Sequence, residues 1–222
     1  MARETEIKLR IKDLRALRRA LKRLGARLVS NRAWRVHEFN VLFDNPHHAL
    51  RRRGELLRIR RETARQPSGK SDGSREWQRV ILTLKRPVRS AKAKAPGSRR
   101  HKVREEIELQ VTDGKALAEI LEAFGMQVWF RYEKYRTTFR LPERQRWARG
   151  LLIELDETPL GEFIELEGPG RAIDRAAKAL TYSRRDYISA NYFALYREEC
   201  RRKGRQLGDM VFARSRVATR GV

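Results

Sequence analysis

The sequence has little of the chemistry on which secreted and membrane proteins depend. Its 222 residues contain a single cysteine, Cys200, which excludes an internal disulfide and fits a reducing compartment. No apolar run approaches the roughly 20 residues that a membrane-spanning helix needs. Charged residues appear within three positions of the start, so no signal peptide is visible. These absences predict a soluble, cytoplasmic protein with no membrane partner.

Acidic residues are also scarce relative to basic ones. The chain has 28 Asp and Glu against 52 Lys and Arg, which gives a net charge of +24. Such an excess demands a polyanionic partner or a basic appendage, and nucleic acid, an anionic membrane surface and a phosphorylated small molecule are the candidates. The 40% of apolar residues argues against wholesale disorder. Much of the positive charge lies in residues 51–53, in residues 99–102 and in the C-terminal tail.

What the chain has in quantity is strand-like alternation of charged and apolar residues. Residues 4–11 alternate at period two, and the charges of several later strands sort by sign. The acidic pairs are Glu106 with Glu108, Glu154 with Asp156 and Glu165 with Glu167, whereas Arg58 and Arg60 form a basic pair. This ordering indicates a charged face turned inward, as in the lumen of a barrel. A lumen with both signs is suited to holding metal ions against a polyphosphate.

The chain also contains an internal repeat at an offset of 100 residues. Residues 6–13 align with residues 106–113, and the two helix patterns that follow stay in register up to Gly25 and Gly125. Each helix opens near an aspartate and stops at a glycine suited to the position after a helix end. Two copies of strand, helix and further strands predict two pseudo-symmetric halves that share one sheet.

These patterns predict an α+β fold, namely an eight-stranded antiparallel closed β-barrel with flanking helices. We expect strands near residues 3–11, 34–44, 54–62, 78–86, 102–111, 131–141, 151–157 and 162–167. Further helices are expected at 170–180 and from Arg184 or Asp186 to about Arg202. Residues 63–77 and 88–101 are predicted to be mobile loops, and the chain from Lys203 onward a disordered or weakly helical tail. The predicted division is a domain over residues 1–200 and a basic tail over 201–222.

The carboxylates of these strands form the first candidate site. They would point the same way if their strands line one cavity, and so many carboxylates cannot stay ionised in a confined space without cations. Hard divalent ions, Mg²⁺ or Mn²⁺, are their natural partners. The predicted metal ligands are Glu4, Glu6, Glu106, Glu108, Asp156, Glu165 and Glu167, with Glu154 a weaker candidate.

A basic set follows the same two-residue spacing. Arginine supplies planar forks for phosphate oxygens, and lysine supplies compact positive charge. Metal ions that bridge phosphate oxygens while arginine and lysine neutralise the remaining charge are the recurring arrangement of phosphoryl transfer. The predicted triphosphate ligands are Lys8, Arg58, Arg60, Lys85, Lys134 and Arg136.

Three alternatives stay open at this point. Any single acidic pair is more often a solvated strand face, although five patterned strands related by a repeat argue against that reading for the whole set. The excess of basic residues favours non-specific nucleic-acid binding through the basic loops and tail, yet aromatic residues do not interleave with the basic runs as a stacking surface requires. A non-catalytic polyphosphate- or phosphopeptide-binding protein is the third alternative, and a homodimer is also left open.

The ordered motifs resemble those of the CYTH superfamily, the triphosphate tunnel metalloenzymes. Glu4, Glu6 and Lys8 match the ExExK signature, and the resemblance spans roughly residues 2–200. It is most similar to proteins described as class IV adenylate cyclase-like. The further matching segments are 56–60 (LLRIR), 82–85 (LTLK), 103–108 (VREEIE), 130–136 (FRYEKYR) and 155–168 (LDETPLGEFIELEG).

The resemblance implies a closed tunnel that holds a triphosphate between basic residues and one or two metal ions. By this analogy, Lys8 is a base or a phosphate ligand, and Glu4 and Glu6 belong to the catalytic set that holds metal or orients the attacking water. Members of the superfamily hydrolyse inorganic triphosphate, thiamine triphosphate or nucleoside triphosphates, cap RNA ends, or cyclise ATP to cyclic AMP and pyrophosphate. The resemblance therefore implies a metal-dependent triphosphate-processing enzyme. It favours an adenylate cyclase-like activity, with a triphosphatase as the alternative.

Overall fold

The architecture is a single antiparallel sheet closed into a barrel and covered by helices. The computed structural model describes residues 2–29, 35–65, 76–88 and 101–213. Its strands are β1 (Ala2–Arg10), β2 (Arg27–Leu28), β3 (Val36–Asp44), β4 (Leu56–Arg65), β5 (Glu76–Pro87), β6 (Lys102–Val111), β7 (Gln127–Arg140), β8 (Leu152–Thr158) and β9 (Gly161–Glu167). Its helices are α1 (Leu14–Arg23), α2 (Ala49–Arg52), α3 (Gly114–Ala123), α4 (Gly170–Ala179) and α5 (Tyr192–Arg202).

The strand order closes on itself and confirms the predicted barrel. The sheet runs β2-β7-β3-β4-β5-β6-β1-β9-β8, and an additional pairing of β7 with β8 completes a ring of eight strands, with the short β2 outside it. All pairings between these strands are antiparallel. Since every strand of the ring has two neighbours, the ring has no free edge along the paired regions.

Alternation along each strand separates a charged lumen from an apolar exterior. On β1, Glu4, Glu6 and Lys8 face inward, while the fully buried Ile7 and Leu9 face outward. The outward residues of β1, β8 and β9 form the largest apolar core together with α1 and α4. The helices thus cover the apolar outer face of these strands, and the charged side chains face the lumen.

The structure confirms the repeat and the capping signals read from the sequence. Asp13 and Asp113 each cap a helix, and the Oδ1 atom of each accepts hydrogen bonds from the backbone amides two and three residues later at 2.8–3.0 Å. Gly25 and Gly125 follow the two helices with φ of +67° and +77°, in the left-handed region that glycine tolerates. Strands β1 and β6 of the two halves pair with each other.

Several element boundaries differ from the predictions. Strand β4 continues to Arg65 and β5 begins at Glu76, so the ends of the predicted loop 63–77 are strand, while residues 66–75 and 89–100 lie outside the described residues. Strand β7 begins at Gln127 rather than near residue 131, and the short α2 and β2 were not predicted. Helix α5 begins at Tyr192, because Arg184–Asp186 form a separate 3₁₀ turn.

The prediction of a disordered or weakly helical tail from Lys203 is wrong for residues 209–211. The backbone amide of Met210 donates to the carbonyl of Arg131 at 2.9 Å, and the amide of Glu133 donates to the carbonyl of Met210 at 3.1 Å. These bonds form a parallel bridge on the part of β7 that β8 does not reach. The Met210 side chain is fully buried. Residues 214–222 lie outside the described residues.

None of the helices in the described part of the chain is both long and apolar enough to cross a membrane.

Candidate triphosphate tunnel

The lumen contains a cavity of about 760 Å³ to which all eight strands of the ring contribute side chains. A volume of this size lies within the range of sites that bind ligands of nucleotide size, about 300–1,000 Å³. The structure brings twelve of the thirteen predicted site residues to its wall: Glu4, Glu6, Lys8, Arg58, Arg60, Lys85, Glu106, Glu108, Lys134, Arg136, Glu165 and Glu167. The sequence patterns therefore identified one common chamber.

Two lysines, Lys8 on β1 and Lys85 on β5, are paired with carboxylates of nearby strands. The Nζ atom of Lys8 lies 2.5 Å from Oε1 of Glu165. The Nζ atom of Lys85 lies 2.6 Å from Oε2 of Glu4 and 3.1 Å from Oε1 of Glu106. Burial opposes the charged form of both lysines, but the facing carboxylates outweigh it and raise their pKa. Both ammonium groups are therefore charged at neutral pH.

Asp156 is the predicted site residue that does not line the cavity. It is fully buried, and its oxygens accept hydrogen bonds from Lys134 at 2.8 Å, from Arg136 at 2.7 Å and from the hydroxyl of Tyr192 at 2.7 Å. Arg136 also forms ion pairs with Glu154, at 2.5 Å, and with Glu165. Asp156 thus fixes two cations whose outer surfaces reach the lumen.

The two arginines of β4 occupy different surroundings. Arg58 is buried and donates to the hydroxyl of Tyr132 at 3.1 Å and to Oγ1 of Thr83 at 3.2 Å. Arg60 lies 3.0 Å from Oε1 of Glu62 and 3.2 Å from Oε1 of Glu108. The guanidinium plane of Arg58 is therefore held mainly by neutral hydroxyl groups, whereas Arg60 faces carboxylates directly.

Some carboxylates of the lumen are held firmly ionised. Burial disfavours the charge of Glu6, but the ammonium groups of Lys102, Lys8 and Lys85 outweigh burial and lower its pKa to about 2. Burial likewise opposes ionisation of Glu165, and its cationic neighbours Lys8, Lys134 and Arg136 place its pKa well below the ordinary value. These two groups act as fixed negative charges among the lysines.

Other carboxylates have the opposite shift. Burial, together with the negative charge of Glu4, raises the pKa of Glu167 to about 7. Burial and the neighbouring Glu4 and Glu108 also raise the pKa of Glu106, in spite of Lys85. Burial raises the pKa of Glu154 to about 8. Burial and nearby carboxylates therefore favour the protonated form of these three groups.

Four further residues of the site were missed by the sequence interpretation. Glu38 is almost fully buried and lies 3.5 Å from Nζ of Lys134. Tyr132 and Tyr192 hold Arg58 and Asp156, and Lys102 pairs with Glu6. Lys102 could have been found from its two-residue spacing to Arg104 and Glu106. Glu38 has no charged neighbour at that spacing, and the tyrosines match an ordinary apolar core pattern.

One end of the cavity is lined by aromatic side chains as well as charged ones. Trp129 on β7 and Phe193 on α5 line it and are partly buried, and we call these two residues the aromatic rim. Behind them, buried side chains close the lumen: Leu42, Phe130, Tyr132, Phe163, Tyr192 and Met210. Helix α5 and the segment around Met210 therefore plug the barrel on this side.

The donors available for a metal ion are carboxylate oxygens. Among the described residues, no group of three or more His, Cys, Asp and Glu side chains is arranged to hold a metal ion. Glu4 and Glu106 are turned toward Lys85 in this state. The chemistry of the donors fits a hard divalent cation, because Mg²⁺ and Mn²⁺ prefer carboxylate oxygens as ligands.

Solved structures with the same fold include several proteins of bacteria, archaea and plants. A candidate adenylate cyclase from Vibrio parahaemolyticus is 19% identical, with a TM-score of 0.61 over 86% of this chain and 96% of that one. The PH1819 protein of Pyrococcus horikoshii is 21% identical, with a TM-score of 0.63 over 88% and 99%. The adenylyl cyclase candidate HpAC1 from Hippeastrum, with a dominant triphosphatase activity, is 18% identical, with a TM-score of 0.51 over 92% and 97%.

A comparison with curated proteins finds no match. The sequence model of the CYTH domain matches residues 2–190, which include every strand of the barrel and all the predicted site residues. The chain therefore belongs to the CYTH domain family.

Proposed function

We propose that this protein is a divalent-metal-dependent triphosphatase that hydrolyses a triphosphate held in the tunnel. The observation that carries the proposal is the set of cations on the wall of one closed chamber: Lys8, Arg58, Arg60, Lys85, Lys134 and Arg136. A triphosphate chain carries several negative charges in a row and needs such a set on more than one side. A solvated strand face would not gather these residues in one lumen.

Binding would proceed by exchange of partners. Lys8 and Lys85 are paired with Glu165, Glu4 and Glu106 in this state. Phosphate oxygens that enter between them compete for the same ammonium groups, which frees carboxylates on the acidic side. Arg58 gains most from a phosphate oxygen, because its hydrogen-bond partners are the hydroxyls of Tyr132 and Thr83.

The freed carboxylates would hold Mg²⁺ or Mn²⁺. Glu4, Glu106 and Glu167 are the first candidates, since the mutual repulsion of these three groups contributes to the raised pKa of Glu106 and of Glu167. When bound, the ion would neutralise phosphate oxygens. Glu6, whose pKa of about 2 keeps it ionised, can accept a hydrogen bond from the attacking water. Asp156 serves this scheme by positioning Lys134 and Arg136 rather than through direct contact with substrate.

Cyclisation of ATP is the second candidate, and the aromatic rim favours it. A cyclase must hold the base and ribose so that the 3′-hydroxyl reaches the α-phosphorus, and Trp129 and Phe193 offer a surface for a base. The Vibrio parahaemolyticus relative is a candidate adenylate cyclase, whereas HpAC1 has a dominant triphosphatase activity. The shared tunnel serves both reactions, and the nucleophile distinguishes them.

The experiment is ³¹P NMR of the protein with ATP and with inorganic triphosphate, each in Mg²⁺ and then in Mn²⁺. Orthophosphate release identifies the triphosphatase. Pyrophosphate together with a cyclic-nucleotide resonance identifies the cyclase instead. Wild-type protein that is folded and leaves both compounds intact with either metal would overturn the proposal.

The double variant Glu4→Gln with Glu6→Gln tests whether the lumen performs the reaction. We expect its turnover to fall at least about 100-fold, because it removes charge that acts on the reacting groups, while circular dichroism stays that of the wild type. The matched control is Glu119→Gln with Glu122→Gln on the exposed side of α3, which makes the same chemical change outside the lumen. Equal turnover in the two double variants would contradict the assignment.

Nucleic-acid binding, dimer formation and a cytoplasmic location stay predictions. The basic loops and the end of the tail, which motivated the first of these, lie largely outside the described residues.

A further inference from the structure

Helix α1 presents a strongly basic side to solvent. Its ten residues contain five cations and no carboxylate. The buried residues Leu17, Ala20 and Leu21 face the core. The cations are all exposed: Arg15, Arg18, Arg19, Lys22 and Arg23. At 3.6 residues per turn and 1.5 Å per residue, these positions cover about 140° of the helix circumference on a helix about 15 Å long.

The counterpart of α1 in the internal repeat is charged differently. Helix α3 follows β6 as α1 follows β1, and both helices have a capping aspartate at the start and a glycine with positive φ after the end. Helix α3 contains one cation, Lys115, and two carboxylates, and Nζ of Lys115 lies 3.9 Å from Oε1 of Glu119 in the next turn. The fold therefore does not require a basic helix at this position.

The cations of α1 are not compensated by nearby carboxylates. None of the five forms an ion pair with a residue that the structure describes. Like charges three and four residues apart, such as Arg15 with Arg18 and Arg19, destabilise a helix. Arg15 also lies in the first turn, where the helix dipole disfavours a positive charge. An anion bound on this side of α1 would relieve both effects.

Three aspartates near α1 and α4 are already engaged by other groups. Asp13 caps α1 through its Oδ1 atom. Asp186 accepts a hydrogen bond from Lys12 at 2.9 Å. The carboxylate oxygens of Asp174, on α4, lie 2.9–3.0 Å from polar side-chain atoms of His101, Arg184 and Tyr187. These carboxylates therefore leave the positive charge of α1 in place.

Further cations extend the basic surface beyond α1. Helix α4 covers the same apolar core as α1, and its three exposed residues are Arg171, Arg175 and Lys178. Arg144 lies beside Gly25, just after α1. No residue of α1 or α4, both of which the structure describes in full, lines the tunnel cavity. We call the exposed cations of α1 and α4 the basic helical face.

The chemistry of this face favours a nucleic-acid duplex over other polyanions. Neither helix contains an aromatic residue, so the face has no ring on which unpaired bases could stack. The apolar residues of α1 are buried in the core, so the helix has no apolar side to insert into a membrane. Arginine forks fit phosphate oxygens, and a surface made of two helices is wide enough to meet both phosphate rows of a duplex.

We propose that the basic helical face binds the phosphate backbone of double-stranded nucleic acid without reading its sequence. The cations of α1 neutralise phosphates of the two strands that flank one groove, and those of α4 add contacts beside them. The inference goes beyond the proposed function and does not depend on it, because it uses residues on the outside of the barrel.

The test is fluorescence anisotropy of labelled duplexes of about 24 base pairs, titrated with the full chain between about 0.05 and 0.3 M KCl. The probes are a DNA duplex and an RNA duplex of the same sequence. Their single strands, inorganic polyphosphate and vesicles of phosphatidylcholine with phosphatidylserine are compared with them. The first variant combines Arg15→Gln, Arg18→Gln and Arg19→Gln, and the second places lysine at the same three positions.

The matched control combines Arg201→Gln, Arg202→Gln and Arg205→Gln, which are exposed at and after the end of α5. It removes the same number of positive charges as the first variant but leaves the basic helical face intact. Glutamine and arginine have similar helix propensities, so circular dichroism of the glutamine variants should match that of the wild type.

We expect the wild type to bind either duplex with a Kd of about 10⁻⁶–10⁻⁴ M and a steep salt dependence. The α1 glutamine variant should bind at least about tenfold more weakly. Its slope of log Kd against log salt should fall by about two to three, because each phosphate contact contributes about 0.9. The lysine variant and the α5 control should stay within about threefold of the wild type, since charge at this face carries the affinity.

Equal losses in the α1 glutamine variant and in the α5 control would overturn the inference, because net charge alone would then determine binding. A lysine variant as weak as the glutamine variant would contradict a role for positive charge on this face. Tighter binding of single strands, polyphosphate or vesicles than of the duplexes would overturn the choice of partner.

Discussion

The surroundings of Arg58 illustrate how one residue can be both buried and ready for an anion. Its guanidinium group is held by the hydroxyls of Tyr132 and Thr83, which orient the fork without cancelling its charge. The nearest carboxylate oxygen, Oε1 of Glu108, is 3.8 Å away. Arg58 thus differs from Lys8 and Arg136, which face carboxylates directly.

Arg58→Lys is expected to lower kcat/KM for the triphosphate substrate about tenfold or more. The variant keeps the positive charge but loses the planar fork and the two hydroxyl contacts that aim it. Steady-state kinetics measure the effect, and Arg18→Lys on the exposed face of α1 is the matched control. If Arg58→Lys retained wild-type kcat/KM, the orientation of the guanidinium would not matter for catalysis.

Glu167 gives stability a pH dependence in metal-free buffer. Burial and Glu4 raise its pKa to about 7 in the folded protein, against 4.5 ordinarily. Since the folded state binds the proton more tightly, the contribution of Glu167 to stability is present below pH 4.5 and is lost as the pH rises toward 7. We expect Glu167→Gln to be more stable relative to wild type at pH 8 than at pH 4.5, by about 1–2 kcal/mol after solvent screening.

Urea unfolding in EDTA at the two pH values measures this difference. The control is Glu105→Gln, which carries the same change on the outward side of β6. A Glu167→Gln variant with the same relative stability at both pH values would show that the carboxylate is not crowded in the folded state.

At the scale of single residues, the spacing of charged residues at every second position was enough to predict most of the side chains that line the lumen. Glu106 and Glu108 alternate with apolar residues, and so do Arg58 and Arg60. This alternation predicts a strand whose polar face is turned inward. Glu38 could not be found in this way, since its partners Lys134 and Arg136 lie on a strand that is far from it in the sequence. The positioning role of Asp156 also could not be predicted from the sequence. It depends on Tyr192, which lies in α5, after β9 and α4 in the chain.

Among the elements, the segment after α5 has a larger role than its composition suggests. Met210 is fully buried in the cluster that closes the barrel. Its backbone pairs with the part of β7 that lies beyond the end of β8. The amide of Phe212 donates to the buried carboxylate of Glu133. These contacts tie the C-terminal segment to the strand that carries Lys134.

Met210→Ala is expected to lower the free energy of unfolding by about 2–5 kcal/mol, as other buried methionines do. Leu207→Ala in the same segment is the control and should change it by less than about 0.5 kcal/mol, since Leu207 is 44% exposed. Chemical denaturation followed by circular dichroism measures both. Similar losses in the two variants would contradict the close packing of Met210.

The sequence predicted the repeated elements better than the irregular ones. Asp13, Gly25 and their counterparts a hundred residues later are local signals, because a cap or a left-handed turn acts on neighbouring backbone. Strand β7 extends four residues before its predicted start, since pairing with β3 from Gln127 onward decides its length. Residues 209–211 pair with the stretch of β7 that β8 does not reach. No local sequence pattern predicts this pairing.

At the scale of the molecule, the net charge of +24 and the closed lumen act together on the substrate. A polyanion is drawn toward the protein by the overall field before it meets the paired charges inside. Cations at the mouth, including Arg52 and Arg197, extend that field outward from the tunnel. Salt screens the field over about 10 Å at 0.1 M, but screens the buried pairs much less.

We therefore expect kcat/KM to fall severalfold between about 0.05 and 0.5 M KCl while kcat changes little. Initial rates over a range of substrate concentrations separate the two quantities. A fall in kcat with unchanged kcat/KM would mean that salt acts on the reaction inside the tunnel and not on the approach of the substrate.

The ring closure described above also fixes an order of events during protein synthesis. Strand β1 carries Glu4, Glu6 and Lys8 and is the first to be made, yet its neighbours in the ring are β6 and β9. It gains its second partner only when Glu167 has left the ribosome. The nascent chain must keep this strand unpaired, or paired elsewhere, until β6 and β9 have been made. The signature residues are therefore made before the other strands of the ring but are among the last to assemble.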